Sequence, residues 1–501
     1  MNLGELLAGY ADVPASCVAK LFSGLAIDSR ILRSNEIFFA LRGEKRHGLE
    51  FFEDVKKTGA AAVIWEPPYD FSLLPVTNKN IPLIAVSGLR HKLGLIVSRF
   101  YGDPSKNIRV VGITGTDGKT SCAHFIAQAL SDQNIGPCGI LGTLGNGIYG
   151  RTEPTLCTTP DPLAVQIWLA EMVAAGRYFA AMEVSSHALD QGRVNGVAFS
   201  VAVLTNLSRD HLDYHRNLES YRSAKRRLFF EHNPSWIVLN LDDGFGCRIA
   251  RDLHDKETVI GYGIGQRSKI QSDLFVCGKN LELTSTGLRM FIQSSWGIGE
   301  LQVGLLGRFN ASNILATVAT LLALDFPFHT VLDRVAKVKT VIGRMERLGG
   351  GIGQPLVVVD YAHTPHALEQ VLVVLREYRS NSSRGLLWCL FGCGGDRDSG
   401  KRPLMGAIAE NLADRVLLTD DNPRTEEPDK IIKDILAGMQ APARATVIHD
   451  RRAAIIHVLV VASDTDIVLI AGKGHEDYQI FGTEKQPFSD YDVVHQCFPK
   501  L

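Results

Sequence analysis

Short apolar runs bounded by turn residues recur along the chain: IFFAL from Ile37, AAVIW from Ala61, YFAAMEV from Tyr178, SVAVLTN from Ser200, WIVLNL from Trp236, LVVVDYA from Leu356, LLWCLFG from Leu386, RVLLTD from Arg415 and DIVLIAG from Asp466. Each reads as a buried β-strand, and the stretches between them carry apolar residues at helical spacing, as Cys122, Phe125, Ile126, Ala129 and Leu130 do. Strands alternating with helices predict an α/β protein built on parallel sheets. Gly, Pro and Asn in FYGDPSKN, before the run at Val110, mark one boundary. The glycines of VIGRMERLGGGIGQP, before LVVVDYA, mark another. The expected organisation is three domains, 1–104, 105–342 and 343–501: a small α/β domain, a central domain with a doubly wound sheet, and a Rossmann-like domain.

Composition adds bounds and few surprises. A chain of 501 residues, 45% hydrophobic, can bury several cores, and 53 Lys+Arg against 54 Asp+Glu leave a net charge of -1. No global field draws the chain to nucleic acid or an acidic membrane, so neither is expected as a partner. MNLGELLAGYADVPASCVAK lacks a basic start and a long apolar core, so it does not read as a secretory signal. The apolar tract AAIIHVLVVASDTDIVLIAG is interrupted by His457, Asp464 and Asp466, and reads as helix, turn and strand, not as a membrane span. Nine cysteines at irregular spacing show no disulfide or zinc pattern, which suits the cytoplasm; Cys389 and Cys393 are expected to be buried strand residues.

VVGITGTDGKTSCAHF, from Val110, sets a strand, three glycines (Gly112, Gly115, Gly118) and a helix start in a row. Lys119 and Thr120 follow Gly118 as in a phosphate-binding loop, although G-x-x-x-x-G-K-[ST] fails because Ile113 occupies the first glycine position. The physics survives the mismatch. Glycines let successive N–H groups wrap phosphate oxygens at a helix N-terminus, Lys119 reaches the terminal phosphates, and Thr120 offers a hydroxyl to Mg²⁺. An ordinary glycine-rich turn is the plain alternative. Two later strands end in polar clusters: Glu183, Ser185, Ser186 and His187 after YFAAMEV, and Asp210, His211 and Asp213 after SVAVLTN. Carboxylate and imidazole at such an edge suit Mg²⁺ beside a triphosphate, and helix caps are the alternative for any one of them. In YRSAKRRLFF, Tyr221, Lys225 and Leu228 share a helical stripe with Phe229, which turns Lys225 inward while Arg222 and Arg226 point elsewhere. A salt bridge or snorkelling is the usual reason for such a lysine.

Together GITGTDGKTS, MEVSSHAL, NLSRDHLDYH, YRSAKRRLF, LLGRFNASNILA, GRMERL, DYAHTPHAL, GGDRDSGKRPLM, DNPRTEEP and AGKGHEDYQ resemble the Mur ligases, in the family's order over almost the whole chain. The resemblance implies an N-terminal domain for a UDP-linked substrate, a central P-loop ATPase and a C-terminal amino-acid domain. It implies the ligase that adds the third amino acid to the peptidoglycan peptide. There ATP phosphorylates the D-glutamyl γ-carboxylate of a UDP-linked muramoyl dipeptide, and an amine attacks the acyl phosphate.

Carried over by position, the ATP site comprises Thr116, Asp117, Gly118, Lys119, Thr120, Ser121 and Cys122, with Asn310, Asn313, Arg344, Asp360 and His363 as further nucleotide contacts. Thr120, Glu183, His211 and Lys225 are the implied Mg²⁺ ligands, Lys225 as a carbamate, and Lys119, His211 and Lys225 the implied catalytic residues. A carbamate converts the inward ammonium into an anionic ligand, which requires a neutral amine first. The UDP-linked substrate maps to Ile27, Ser29, Glu44, Lys45, Arg46, Thr158, Thr159, Ser185, Gln191 and Arg193. Arg397, Asp421, Asn422, Pro423, Arg424, Gly472 and Glu476 map to the amino-acid pocket, and the arginine of DNPR points to meso-diaminopimelate, since a guanidinium pairs bidentately with a carboxylate.

Asp117, where the family usually has Asn, and Cys157, where an amide is expected, depart from the pattern, and ATP affinity is the quantity Asp117 places in doubt. A lysine-adding ligase lacks the DNPR arginine, a folylpolyglutamate synthase lacks DNPR and the uridine domain, and a catalytically dead nucleotide-binding scaffold is opposed by the presence of Lys119, Glu183, His211 and Lys225. The expected partners are ATP, Mg²⁺, the UDP-linked dipeptide and meso-diaminopimelate, handled by a monomer in the cytoplasm.

Overall fold

Parallel strands with helices against their faces account for most of the chain in a computed structural model that describes every residue except 44–45, 71–80, 156, 266–271, 285–286, 352, 383–384 and 499–501. Two compact units divide it. The first takes Met1–Gly112, Ser131–Ala202 and Ala224–Ser235; the second takes Ile113–Leu130, Val203–Ser223 and Trp236–Leu501.

In the first unit, the strands Gly24–Ala26, Glu36–Ala40, Ala62–Trp65 and Leu83–Ala85 pair in chain order, all parallel. Alternate residues of one strand feed opposite faces, because side chains have a period of two. Ile37 and Phe39 join a core with Leu3, Leu6, Leu89 and Leu93, while Phe38 and Ala40 join another with Phe52 and Val55. The same unit holds the strand Gly139–Gly142, parallel to Phe179–Glu183 and continued by two antiparallel strands, Gly145–Ile148 and Arg151–Glu153. Asp161 caps the helix Pro162–Ala174 by accepting from Ala164 N at 3.0 Å, and Leu163 of that helix enters the N-terminal core.

In the second unit, Trp236–Asn240, Val259–Ile264 and Leu274–Leu283 pair in parallel. The sheet then departs from a doubly wound pattern, because Leu274–Leu283, Leu288–Ser294 and Gly297–Val303 form an antiparallel meander. One face of the meander is buried (Leu288, Met290, Ile292), and the other carries Phe291 and the pair Arg289 and Glu300. Alternation of this kind, with polar residues interleaved, lacks the continuous apolar runs that mark the parallel strands. The helix Arg308–Ala323 is buried almost all round and packs against these strands and against the helix Lys119–Leu130.

Six strands near the C-terminus form a separate sheet, in the order Glu346–Gly349, Leu356–Asp360, Ile467–Ala471, Leu387–Phe391, Arg415–Leu418, Thr446–Val447. All pairs are parallel except the first. The long apolar tract resolves into the helix Arg451–Val461, a turn and the strand Ile467–Ala471, and no described helix is long and apolar enough to cross a membrane. Cys389 lies buried in its strand, and Cys393 is buried just beyond the strand end. The carboxyl ends of the three central strands bring Asp360, Gly392 and Gly472 to one edge, where open α/β sheets bind ligands.

Candidate active site

The phosphate loop leads from the strand Arg109–Thr114 into the helix Lys119–Leu130. A Cβ on Gly115 would lie 1.8 Å from Thr205 Oγ1, and one on Gly118, whose φ is +83°, would lie 2.8 Å from Asn313 Oδ1. Only glycine lets the backbone pass that close. The loop is fastened by the segment after the strand Val201–Leu204. Thr205 Oγ1 donates to Asp117 O at 2.6 Å, and Asn206 both accepts from Asp117 N at 2.9 Å and donates to its carbonyl at 3.1 Å. Lys119 curls over the loop, its Nζ 2.9 Å from Gly115 O and 2.8 Å from Thr116 O, so the ammonium stands over the backbone that would hold phosphates. Thr116 Oγ1 meets Tyr221 OH at 3.1 Å.

Thr120 and Ser121 are buried in the first helical turn, and Arg344 Nη2 donates to Thr120 Oγ1 at 3.1 Å. Cys122 uses its N–H within the helix and its thiol against Asn313 Oδ1, so it seats Asn313 against the loop. Asn310 in turn accepts from Asn313 Nδ2. Asp360 accepts from Met345 N and Ala362 N, both at 2.7 Å. Both its oxygens therefore bind backbone, and burial pushes its pKa up despite the Arg344 guanidinium. The guanidinium carbon of Arg344 lies 4.4 Å from the Tyr361 ring centre, and that ring packs between His363 and His475.

Asp210 is buried beside two imidazoles: His211 Nε2 lies 3.4 Å and His363 Nε2 3.9 Å from its Oδ2. Burial opposes its ionisation, but His211, Lys401 and His363 together hold its pKa below the usual carboxylate range. His211 adopts a φ of +55°, uncommon for a residue with a side chain. Asp213 is exposed.

In the first unit, Glu183 ends its strand with its side chain buried. Its Oε1 accepts from Thr143 N at 2.7 Å and its Oε2 from Thr143 Oγ1 at 3.2 Å. Thr143 and Thr158 share a hydroxyl bond at 3.1 Å. Thr159 donates to Glu183 O and accepts from Ser185 N, while Arg193 grips Gln191 Oε1 with two nitrogens and Thr159 O with a third. Thr158, Thr159, Ser185, Gln191 and Arg193, up to 35 residues apart, are thus one network with Glu183 at its centre. Cys157 lies at its rim, its sulfur 3.9 Å from Arg193 Nη1.

Ile27 and Ser29 follow the strand Gly24–Ala26, and Arg46 is exposed; among the described residues no hydrogen bond joins these three to that network. Glu44 and Lys45 lie outside the described residues. Lys225 is only 1% exposed within the helix Leu218–Phe230, with Tyr221, Leu228 and Phe229 also buried, and Arg226 stacks on Phe230 instead.

At the C-terminal sheet edge, Asp421 and Asn422, followed in the chain by Pro423 and Arg424, are hydrogen-bonded to Lys473 and Glu476. Lys473 Nζ donates to Glu476 Oε2 (3.0 Å), Asn422 Oδ1 (3.2 Å) and Asp421 Oδ1 (3.3 Å), and Asn422 Nδ2 donates to the same Glu476 oxygen at 3.0 Å. Asn422 Oδ1 also accepts from Ile480 N. Arg424 sits at φ +54° and Nη1 donates to Gly395 O at 2.8 Å. Burial and the neighbouring Arg397 push its pKa down, so an anion beside the pair is favourable. Arg397 is exposed.

Of the four predicted metal ligands, Glu183 and Lys225 belong to the first unit and Thr120 and His211 to the second. Among the described residues no three His, Cys, Asp or Glu side chains form a metal group by themselves. Within each unit the donor chemistry suits Mg²⁺: in the first, Glu183 presents a carboxylate aligned by Thr143, and in the second, Thr120 presents a hydroxyl aligned by Arg344, each a hard oxygen donor. Sequence reasoning passed over Thr143, Asn206, Tyr361 and Lys473. Asn206 and Lys473 were visible in NLSRDH and GKGHE; nothing in the run LGTLGNG singles out Thr143.

Two family models match this chain, Mur ligase middle domain over residues 113–321 and Mur ligase, glutamate ligase domain over residues 343–474. Among similar proteins is UDP-N-acetylmuramoyl-L-alanyl-D-glutamate--2,6-diaminopimelate ligase of Alkalilimnicola ehrlichii, 48% identical over 99% of this chain and 98% of that one. The protein of the same name from Pseudomonas aeruginosa is 48% identical over 95% of each. A solved structure of a ligase of that name superposes with a TM-score of 0.69 at 35% identity, covering 99% of this chain and 98% of the other.

Proposed function

The chain belongs to the Mur ligase family, and from that premise we infer that it is an ATP-dependent ligase joining meso-2,6-diaminopimelate to the D-glutamyl γ-carboxylate of UDP-N-acetylmuramoyl-L-alanyl-D-glutamate. The observation that carries this reading is the pairing of two sites within one unit, a lysine-capped phosphate loop and an acid-and-arginine pocket at the edge of a parallel sheet. Such a pairing fits a reaction in which a poor electrophile is first phosphorylated and then met by an amine.

ATP would lie along the loop Thr116–Cys122, with Lys119 swinging from its carbonyl contacts to the terminal phosphates. Arg344, braced by the Tyr361 ring, holds the Thr120 hydroxyl in orientation. In the first unit, the network of Thr158, Thr159, Ser185, Gln191 and Arg193 supports the role of binding the UDP-linked dipeptide, with Ile27, Ser29 and Arg46 assigned to its uridine end. Thr120, Glu183, His211 and a carbamylated Lys225 would hold Mg²⁺, which supplies charge neutralisation on the phosphates when bound.

Arg424 and Arg397 pair with the second carboxylate of diaminopimelate, and Asp421 and Glu476 receive an ammonium. The acyl phosphate then yields to the attacking amine, forming the amide and releasing phosphate. Residues 1–104, 105–342 and 343–501 are proposed as the respective UDP-substrate, ATPase and amino-acid domains. Dependence on ATP argues for a cytoplasmic reaction in precursor assembly. Phosphate release with the UDP-linked dipeptide tests the reading: it should require meso-diaminopimelate, and equal release with lysine would overturn the substrate assignment.

A further inference from the structure

Lys473 is fully buried, and its ammonium touches three side chains of the amino-acid pocket at once. An ammonium has three N–H groups. Here they are matched one each to Asp421 Oδ1, Asn422 Oδ1 and Glu476 Oε2, at 3.0 to 3.3 Å. Asp421 and Asn422 come from the segment after the strand Arg415–Leu418, and Glu476 from the segment after Ile467–Ala471, so one cation joins the two halves of the pocket.

The electrostatics give the contact a purpose. Two buried carboxylates that share one small site repel, and one tends to take a proton. Glu476 shows this, since burial and the Asp421 charge raise its pKa. Asp421 does not: burial would raise it too, yet Lys473 and Arg451 hold it below the ordinary value. Removal of the Lys473 charge would leave two acids competing for one proton, and a protonated Glu476 is a poor acceptor for a substrate ammonium. Among the described residues the hydrogen bonds to Glu476 from Lys473 and Asn422 all fall on Oε2, which leaves the direction of Oε1 set by that grip.

Resting on the amino-acid pocket described above, we propose that Lys473 is a positioning residue for substrate selection: it ties Asp421, Asn422 and Glu476 into one array whose two carboxylates are held as acceptors for the ammonium of the incoming diamino acid. It makes no contact with ATP or the UDP-linked dipeptide in this role. Its loss therefore falls on one substrate alone.

Steady-state kinetics of the full chain with each substrate varied in turn test this. The wild type comes first: if it does not use meso-diaminopimelate, the functional reading fails before any variant is measured. With that established, Lys473→Met should raise the KM for meso-diaminopimelate by at least about 30-fold, as expected for lost charged hydrogen bonds. The KM values for ATP and the UDP-linked dipeptide should stay within about threefold. Lys473→Arg keeps the charge without the compact three-way geometry, and its KM for the amino acid should lie between wild type and Lys473→Met. An amino-acid KM within about threefold of wild type for Lys473→Met, or all three KM values rising in step, overturns the proposal in favour of a purely structural lysine. Should Lys473→Met fail to fold, Lys473→Arg decides on the same criterion: a selective rise supports the role, and an unchanged or uniform KM pattern removes it.

Discussion

The hydroxyl of Thr364 donates to the carboxylate of Asp117 at 3.2 Å, while its oxygen accepts from Ala367 N at 3.1 Å where the helix Pro365–Ser382 begins. The phosphate loop and the N-terminus of that helix thus share one residue's side chain. Ser208 Oγ stands 3.4 Å from the other Asp117 oxygen. These contacts steady a carboxylate at a position where phosphates would meet like charge. Asp117→Asn keeps the shape and removes the charge, and a like-charge interaction of about 1 kcal/mol corresponds to roughly fivefold in affinity. Calorimetric titration with a non-hydrolysable ATP analogue should show binding tighter by about that factor; unchanged or weaker binding means the charge is useful where it stands.

Lys119→Ala should abolish phosphate release and leave thermal unfolding unchanged. Lys119 is half-buried and its Nζ binds two loop carbonyls, those of Gly115 and Thr116, so the loss belongs to the transferred phosphoryl group more than to packing. Wild-type turnover by the folded variant would contradict the phosphate-loop assignment.

Lys225 is buried on the inward stripe of its helix, and a neutral amine there is the precondition for a carbamate. Lys225→Ala should lose nearly all activity, and small carboxylic acids at high concentration should restore part of it by standing in for the carbamate. Instability without rescue would mark a structural lysine instead.

Arg424→Ala should lower kcat/KM for meso-diaminopimelate by a factor on the order of 10² or more, since a charged hydrogen bond is lost and a substrate carboxylate is left unpaired. Use of lysine, which has no second carboxylate, should not fall in parallel. Arg424→Lys should recover only part of the loss, because an ammonium cannot reproduce the planar fork. Equal use of diaminopimelate after removal of the arginine would refute the specificity assignment.

Burial holds His124 at a pKa of about 4 and His475 at about 3, with the Arg344 charge acting in the same direction on both. In the unfolded chain each titrates near 6.5, so below that pH the unfolded state binds more protons and stability decreases as the pH is lowered. The contribution is complete above pH 6.5 and is lost progressively towards pH 4 and 3. Denaturant unfolding between pH 7 and 4.5 should show this slope, and His124→Gln should flatten it by up to about 1.4 kcal/mol per pH unit. An unaltered slope in the variant would mean that folding leaves the proton affinity of His124 unchanged.

Much of this molecule is legible in its sequence. The parallel strands are, because buried strands are continuous apolar runs: Val357 to Val359 and Val468 to Ala471 cannot be placed elsewhere. The phosphate loop was also readable, because Gly118, Lys119 and Thr120 act through contiguous backbone and need only the strand before them and the helix after. The inward position of Lys225 followed from helical period alone. The meander from Leu274 to Val303 did not, since half-exposed antiparallel strands interleave polar residues and blur the signal. What only the tertiary structure decided is partnership between distant residues. Nothing in the spacing of Thr143 and Glu183, or of Lys473 and Asp421, announces a hydrogen bond, because those distances are set by which strands lie side by side, and strand order is a property of the packed sheet. Local chemistry is written along the chain; charge balance in a buried pocket exists only once the chain has closed around it.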